Sequence, residues 1–403
     1  MRHIADQQED RESAAASTPS LPLLHAAFLL AGFGTLLLGP LLPLLSARWH
    51  LEDARSGLLL LAQFCGATLG GGTVTSRLVR DLVLGLGCAG VGFIGFALAP
   101  GLVSACAALL LGGYGVGRVI SAANIFAGRR YTEHRASALS WLNFSWSCGA
   151  LFSPLLAAWV PAWVPLAPRL IALAGCFLTV GLLCLLQMRR AARAEDCATR
   201  PSPAEPVTTR LPERRLDRSL LLYFAALLIV YGGLETCLSA WLTTFALRYA
   251  KASLMLSEYI LVLLLSGLTA GRALAAWLLL RMHDQTLQRL ALGLTAALTA
   301  GLALSHGTVP IAALAVMLGV SLAPIFPATF SLLMARQPSA RQAGMILAAS
   351  GLGAAGLPAL MGVVSTRSGS LQEALTLPVL AALTMLLLTM RPPAFCQDRR
   401  PIA

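Results

Sequence analysis

Three charged residues, Arg118, Glu235 and Arg272, stand inside apolar stretches long enough to cross a bilayer. A charge in hydrocarbon costs several kcal/mol and is kept where it faces a cavity or a partner. Every other acidic residue falls in a polar segment or at the end of an apolar stretch, so Glu235 is the candidate proton-binding carboxylate. The bland alternative is a structural, hydrogen-bonded glutamate near the outer surface. Tyr231, Glu235 and Ser239 recur every four residues and so share one helical face, and Tyr114, Arg118 and Ser121 make a second polar stripe at i, i+4 and i+7. The planar fork of Arg118 suits an anionic or hydroxylated small molecule. An arginine reaching for the inner interface would show the same spacing. Asn143 and Trp146, three residues apart, put an amide and an indole on one face. Such a pair bonds to hydroxyls and stacks on the apolar side of a sugar ring. Asn124 is a further polar candidate, and Gln63 either completes the binding set or bonds to a neighbouring helix. Arg272 follows Gly271 and Gly267, a small-residue spacing that points to gating or close helix packing. No metal or cofactor is expected: the nine cysteines are scattered, five of the six histidines lie in polar segments, and no phosphate-cradling loop occurs.

These residues need twelve elements to hold them. The chain has 403 residues, 57% apolar and 12% charged, with a mean hydropathy of +0.74, whereas a soluble domain carries about a quarter charged residues. A water-soluble enzyme or nucleic-acid binder is excluded, and the lipid bilayer is the expected surroundings. Apolar runs near 22–46, 57–76, 82–100, 102–127, 137–160, 166–188, 219–247, 256–280, 286–305, 309–335, 342–364 and 372–390 predict twelve transmembrane helices. With the N-terminus inside, 22 of the 30 basic residues fall on the cytoplasmic side and six outside. That asymmetry places both termini in the cytoplasm. The organisation expected is a cytoplasmic tail (1–20), a six-helix bundle (21–188), a Pro-rich charged cytoplasmic linker (189–218), a second six-helix bundle (219–391) and a short tail (392–403). Counting about 1.5 Å per residue from Ser219 puts Glu235 roughly 24 Å from the inner end, in the outer half. Arg118 and Arg272 fall in the inner half, so no ion pair between Glu235 and Arg272 is expected.

The two halves look related. Gly66, Gly70 and Arg80 reappear as Gly267, Gly271 and Arg281 at a constant offset of 201, and Gly149 and Pro154 have counterparts in Gly353 and Pro358. The runs GYGVGRVISAAN (113–124), ALSWLNFSWSCGALFSPLL (138–156), YGGLETCLSAWLTTF (231–245), GLTAGRALA (267–275) and LAPIFPATFSLL (322–333) resemble the major facilitator superfamily, and within it the fucose permease-like branch. The resemblance covers about residues 22–390. It implies two pseudo-symmetric bundles enclosing a water-accessible chamber, with Arg77 and Arg80 in the gating loop after span two and Pro154 and Pro358 in gating or packing roles. That loop is degenerate: Ser76 stands at the acidic position and Val79 at the glycine. The span-one and span-four carboxylates of the fucose permease have no equivalent, Ile120 standing where the span-four glutamate would be.

The resulting expectation is a monomeric secondary transporter, not an enzyme, in the cytoplasmic membrane. It would move a small polar organic solute, sugar-like or otherwise, by alternating access, driven by a proton gradient or by the solute's own gradient. Proton-coupled efflux of an amphiphilic compound stays open beside it. An integral-membrane transferase would need acidic or metal-binding residues that the short loops do not supply, and no channel-like filter is present.

Overall fold

The computed structural model describes residues 20–38, 41, 45, 48–50, 53–159, 165–198, 216–250 and 254–390. The first eighteen or so residues, most of the linker and the C-terminal tail, together with the roles expected of them, lie outside the described residues. Twelve helical segments follow in order among the described ones: α1 (Leu21–Leu36), α2 (Asp53–Gly72), α3 (Leu78–Ala97), α4 (Leu102–Arg130), α5 (Arg135–Trp159), α6 (Leu166–Ala198), α7 (Arg218–Tyr249), α8 (Leu254–Leu278), α9 (Asp284–Leu304), α10 (Thr308–Met334), α11 (Ala340–Ser368) and α12 (Leu371–Met390). Nine of these are long and apolar enough to cross a bilayer. Leu61, Val91, Leu98, Val103, Leu222, Leu290 and Leu352 are more than half exposed, the outward apolar surface that lipid solvates and water would not. The protein is a multi-pass membrane protein. α10 changes course at Ala323 and Pro324, where the proline ring removes a helical donor. α6 runs past its apolar stretch as far as Ala198, because RRAARAEDCA consists mostly of strong helix formers. The linker expected from 189 therefore begins later.

The described residues cluster into two compact units, one within Met1–Ala123 and Phe152–Glu213, the other within Asn124–Leu151 and Arg214–Ala403. The end of α4 and most of α5 thus belong with the second set of six helices.

Helix pairings repeat along the chain. α3 packs on α6 as α9 packs on α12, and α1 on α6 as α7 on α12. The glycines at the 201-residue offset are equivalent in packing too. A Cβ on Gly66 would lie 2.1 Å from the Leu110 carbonyl oxygen of α4, and one on Gly267 would lie 2.3 Å from that of Val316 in α10. Only glycine permits backbones this close, and in lipid, where no hydrophobic effect draws helices together, such contact is a main source of association. Gly117 is as tight, its missing Cβ falling 2.0 Å from the Ala67 carbonyl oxygen. Gly117→Leu must push α2 and α4 apart and is expected to cost at least the roughly 1–3 kcal/mol of an overpacked core. Gly87→Ala, with nothing within 4 Å, should leave stability unchanged or slightly raised. Thermal unfolding of the two variants in detergent checks the contrast.

Candidate functional site

In the first unit, Arg118 is committed to a carboxylate. Asp81 sits in the first turn of α3, where unsatisfied helix N–H groups favour negative charge. It accepts from the Thr75 backbone N–H at 2.7 Å and the Thr75 hydroxyl at 2.8 Å. Arg118 Nη2 donates to its Oδ1 at 2.6 Å, with Asp81 1% and Arg118 7% exposed. The other terminal nitrogen of Arg118 donates to the Tyr114 hydroxyl at 2.6 Å and to Thr73 Oγ1 at 3.0 Å. The stripe on α4 is therefore real, but its arginine and tyrosine are turned to the chain that joins α2 to α3. Asp81 is the residue that sequence reasoning passed over. It stands at the end of an apolar run, where a carboxylate costs little and attracts no notice. Ser76 leaves the usual acidic position vacant, and Asp81 supplies the charge from within α3. Arg77 and Arg80 are exposed. Gln63 donates to the carbonyls of Gly34 at 2.9 Å and Thr35 at 3.2 Å, tying α2 to α1.

In the second unit the remaining candidates converge on Arg272. Its Nη1 donates to the Asn143 carbonyl at 3.1 Å and to the Ser147 hydroxyl, and its guanidinium lies 5.2 Å from the centre of the Trp146 ring. The Arg272 carbonyl in turn accepts from Ser140 at 2.7 Å, and that of Ala276 from Ser137 at 2.7 Å. One face of α5 is thereby stitched to α8. Asn143 also donates to Asn124 Oδ1 at 3.4 Å. Tyr231 packs against Phe326 of α10, ring centres 5.8 Å apart. The backbone carbonyl of Pro358 accepts from the Trp241 indole at 3.1 Å, and Gly362 leaves room for the same ring. The side chain of Pro154 lies outside the described residues. Among those residues no group of histidine, cysteine and carboxylate side chains could hold a metal ion.

The ion pair that depth counting argued against is present: Arg272 Nη2 lies 3.4 Å from Glu235 Oε1. Two physical effects defeat the count. α7 has 32 residues, about 48 Å against roughly 30 Å of hydrocarbon, so its first residue does not mark the membrane surface. The Cα–Cβ bonds of a helix also lean toward its N-terminus. In the successive helices α7 and α8, that lean carries the two side chains toward each other. The contact is looser than the one at Arg118. A charge-assisted N–H···O bond normally measures about 2.7–2.9 Å, and a quarter of the Glu235 side chain is exposed against 1% of Asp81.

The arrangement around Arg272 pairs a buried cation with a part-exposed carboxylate among amides, hydroxyls and aromatic rings. Residues 24–355 match the Major Facilitator Superfamily. The chain belongs to the major facilitator superfamily. A search of curated proteins finds no match. Solved structures of similar fold include the fucose permease FucP in its outward conformation, with 18% identity, TM-score 0.67, and 92% of this chain and 97% of that one covered. The human organic anion transporter MFSD10 gives 17%, 0.70, 91% and 98%. The proton:xylose symporter XylE gives 12%, 0.68, 91% and 94%. At these identities the likeness shows the fold. The superfamily and these neighbours are transporters, and this chain is a superfamily transporter with the twelve-helix architecture that its sequence predicts.

Proposed function

We propose that the protein is a proton-coupled secondary transporter that moves a small polar organic solute across the cytoplasmic membrane by alternating access, with both termini in the cytoplasm. Glu235 carries the coupling proton, and Arg272, Tyr231, Asn143, Asn124 and Trp146 form the solute site. The observation that carries the reading is the Glu235–Arg272 contact: a part-exposed carboxylate held loosely at 3.4 Å by a buried guanidinium, inside helices that otherwise bear no charge at that level. A carboxylate so placed can take up a proton without dismantling a tight structural pair, which Asp81 cannot. Two proteins of similar fold, a fucose:proton symporter and a proton:xylose symporter, agree with proton coupling. The experiment is uptake into proteoliposomes across a panel of sugars, organic acids and lipophilic cations, with and without an imposed pH gradient, for wild type and Glu235→Gln. The variant is expected to lose proton-driven accumulation and retain solute exchange. Accumulation that survives the substitution would remove Glu235 from the coupling step.

A further inference from the structure

Three observations at this site concern its donors. Tyr231 is 3% exposed, and its buried hydroxyl faces the Glu235 carboxylate and the Arg272 guanidinium without a hydrogen bond of good geometry to either. Arg272 is likewise 3% exposed, and its Nε is buried and unpartnered. The guanidinium, finally, is held to its one carboxylate at 3.4 Å, outside the normal range of a charge-assisted bond. A buried donor left unmade costs about 1–3 kcal/mol, so a phenol and a guanidinium that share one loosely held carboxylate describe a surface short of acceptors. Every hydroxyl of a neutral sugar brings a further donor along with its lone pairs. A carboxylate group brings acceptors and a negative charge only.

We propose, resting on the transporter reading above, that the solute is an organic monocarboxylate whose carboxylate replaces Glu235 on Arg272 and accepts from Tyr231 when Glu235 takes up a proton.

Charge conservation makes the exchange obligatory. With Glu235 ionised, the pair is neutral. With Glu235 protonated and a carboxylate bound, it is neutral again. Protonation alone leaves a bare buried guanidinium, and the anion alone puts two carboxylates on one arginine; each carries an uncompensated charge in a low-dielectric site. Proton and anion therefore favour each other's binding, a reciprocal coupling. The Trp146 ring, 5.2 Å from the guanidinium, attracts the cation throughout. The groups able to disturb this scheme are few. Tyr231 on α7 and Arg272 on α8 are those that touch Glu235. α10 contains no titratable residue, and the charged residues of α5, α11 and α12, namely Arg135, Arg341, Arg367 and Glu373, stand near helix ends, away from it.

The test uses the purified full chain and four probes, benzoate, phenylacetate, lactate and gluconate, against benzamide, glucose and chloride. Binding is measured between pH 5.5 and 8, where the probe carboxylates stay ionised. At least one carboxylate should bind with an affinity that rises as pH falls, approaching ten-fold per pH unit, while benzamide, glucose and chloride do not. Glu235→Gln should bind the same carboxylate at the tight limit with no pH dependence. Tyr231→Phe should weaken binding by roughly ten-fold, the worth of one hydrogen bond to a charged group, and keep the pH slope. Uptake in proteoliposomes should be unaffected by a potassium-diffusion potential, because each cycle moves no net charge. No carboxylate bound at tens of millimolar, a pH slope retained in Glu235→Gln, or potential-driven uptake each overturns the inference. Proton-driven transport of glucose or another neutral probe would overturn it while leaving the transporter reading intact. Absence of proton-driven transport for every probe would reject both.

Discussion

Asp81→Asn is expected to destabilise the protein by about 3–5 kcal/mol, the cost of leaving one member of a buried ion pair without its partner. The substitution keeps the shape of the side chain and one acceptor oxygen, so the loss isolates charge. Arg118 would stay 7% exposed with only neutral oxygens to bond to, the retained amide oxygen and those of Tyr114 and Thr73. Arg118→Leu should cost a similar amount by stranding Asp81, although the helix N-terminus and the two Thr75 bonds hold that carboxylate better than anything holds the arginine. The double variant Asp81→Asn/Arg118→Leu should recover most of the loss, since it strands no charge, and a large coupling in that double-mutant cycle is the diagnostic result. Thermal unfolding in detergent gives all four corners. Additive losses would mean that the 2.6 Å contact is not what holds the α2–α3 connection to α4.

This comparison bears on which arginine handles the solute. From sequence, Arg118 with its polar stripe is the better binder and Arg272 a gate or packing residue. Their partners reverse the weighting. Arg118 has a short, sequestered bond to a carboxylate that is otherwise fully satisfied, and displacing Asp81 would sacrifice its pairing. Arg272 has a long, part-exposed contact. Arg272 also bonds to the Asn143 carbonyl and Ser147 of α5, so on the proposed reading one residue would both bind solute and join helices.

Much of the architecture is legible in the residues because lipid simplifies the rules. Apolar runs of about twenty residues have no stable form but a spanning helix, and close packing in lipid demands small residues, so Gly66 and Gly267 mark equivalent contacts by their spacing alone. Tyr231, Glu235, Asn143 and Trp146 are legible singly, by the cost of burying them. What sequence does not reveal is pairing. Asp81 is inconspicuous at a helix start, although its own position there stabilises the charge. Glu235 and Arg272 look a half-membrane apart when helix ends are taken for membrane surfaces, and only the helices' excess length and the lean of their side chains bring them together. The division of the chain at Ala123 and Leu151 is equally hidden, because it follows from the serine face of α5 bonding to α8 backbone carbonyls that no periodicity identifies.

Arg272→Ala is expected to abolish solute binding and to lower stability, and the two losses can be separated. The guanidinium supplies the cation for Glu235 and the bonds to the Asn143 carbonyl and Ser147 that tie α5 to α8. Its removal leaves a part-buried carboxylate unpaired, which the site can relieve by protonation, and a void beside Trp146, which it cannot. Adding Glu235→Gln to Arg272→Ala removes the stranded charge. The double variant should regain the share of the melting temperature owed to the carboxylate, yet still bind no solute, because no cation remains to receive it. Arg272→Lys sharpens the distinction: a point charge can pair with Glu235 but cannot span Asn143, Ser147 and an anion with one planar fork. It should hold the fold and lose at least ten-fold in solute affinity. If Arg272→Ala melts lower but binds and transports at wild-type affinity, the residue is a helix clamp and the solute site lies elsewhere in the chain. If stability is unchanged and binding is lost, the contacts to α5 contribute nothing net and the arginine is kept for the cargo alone.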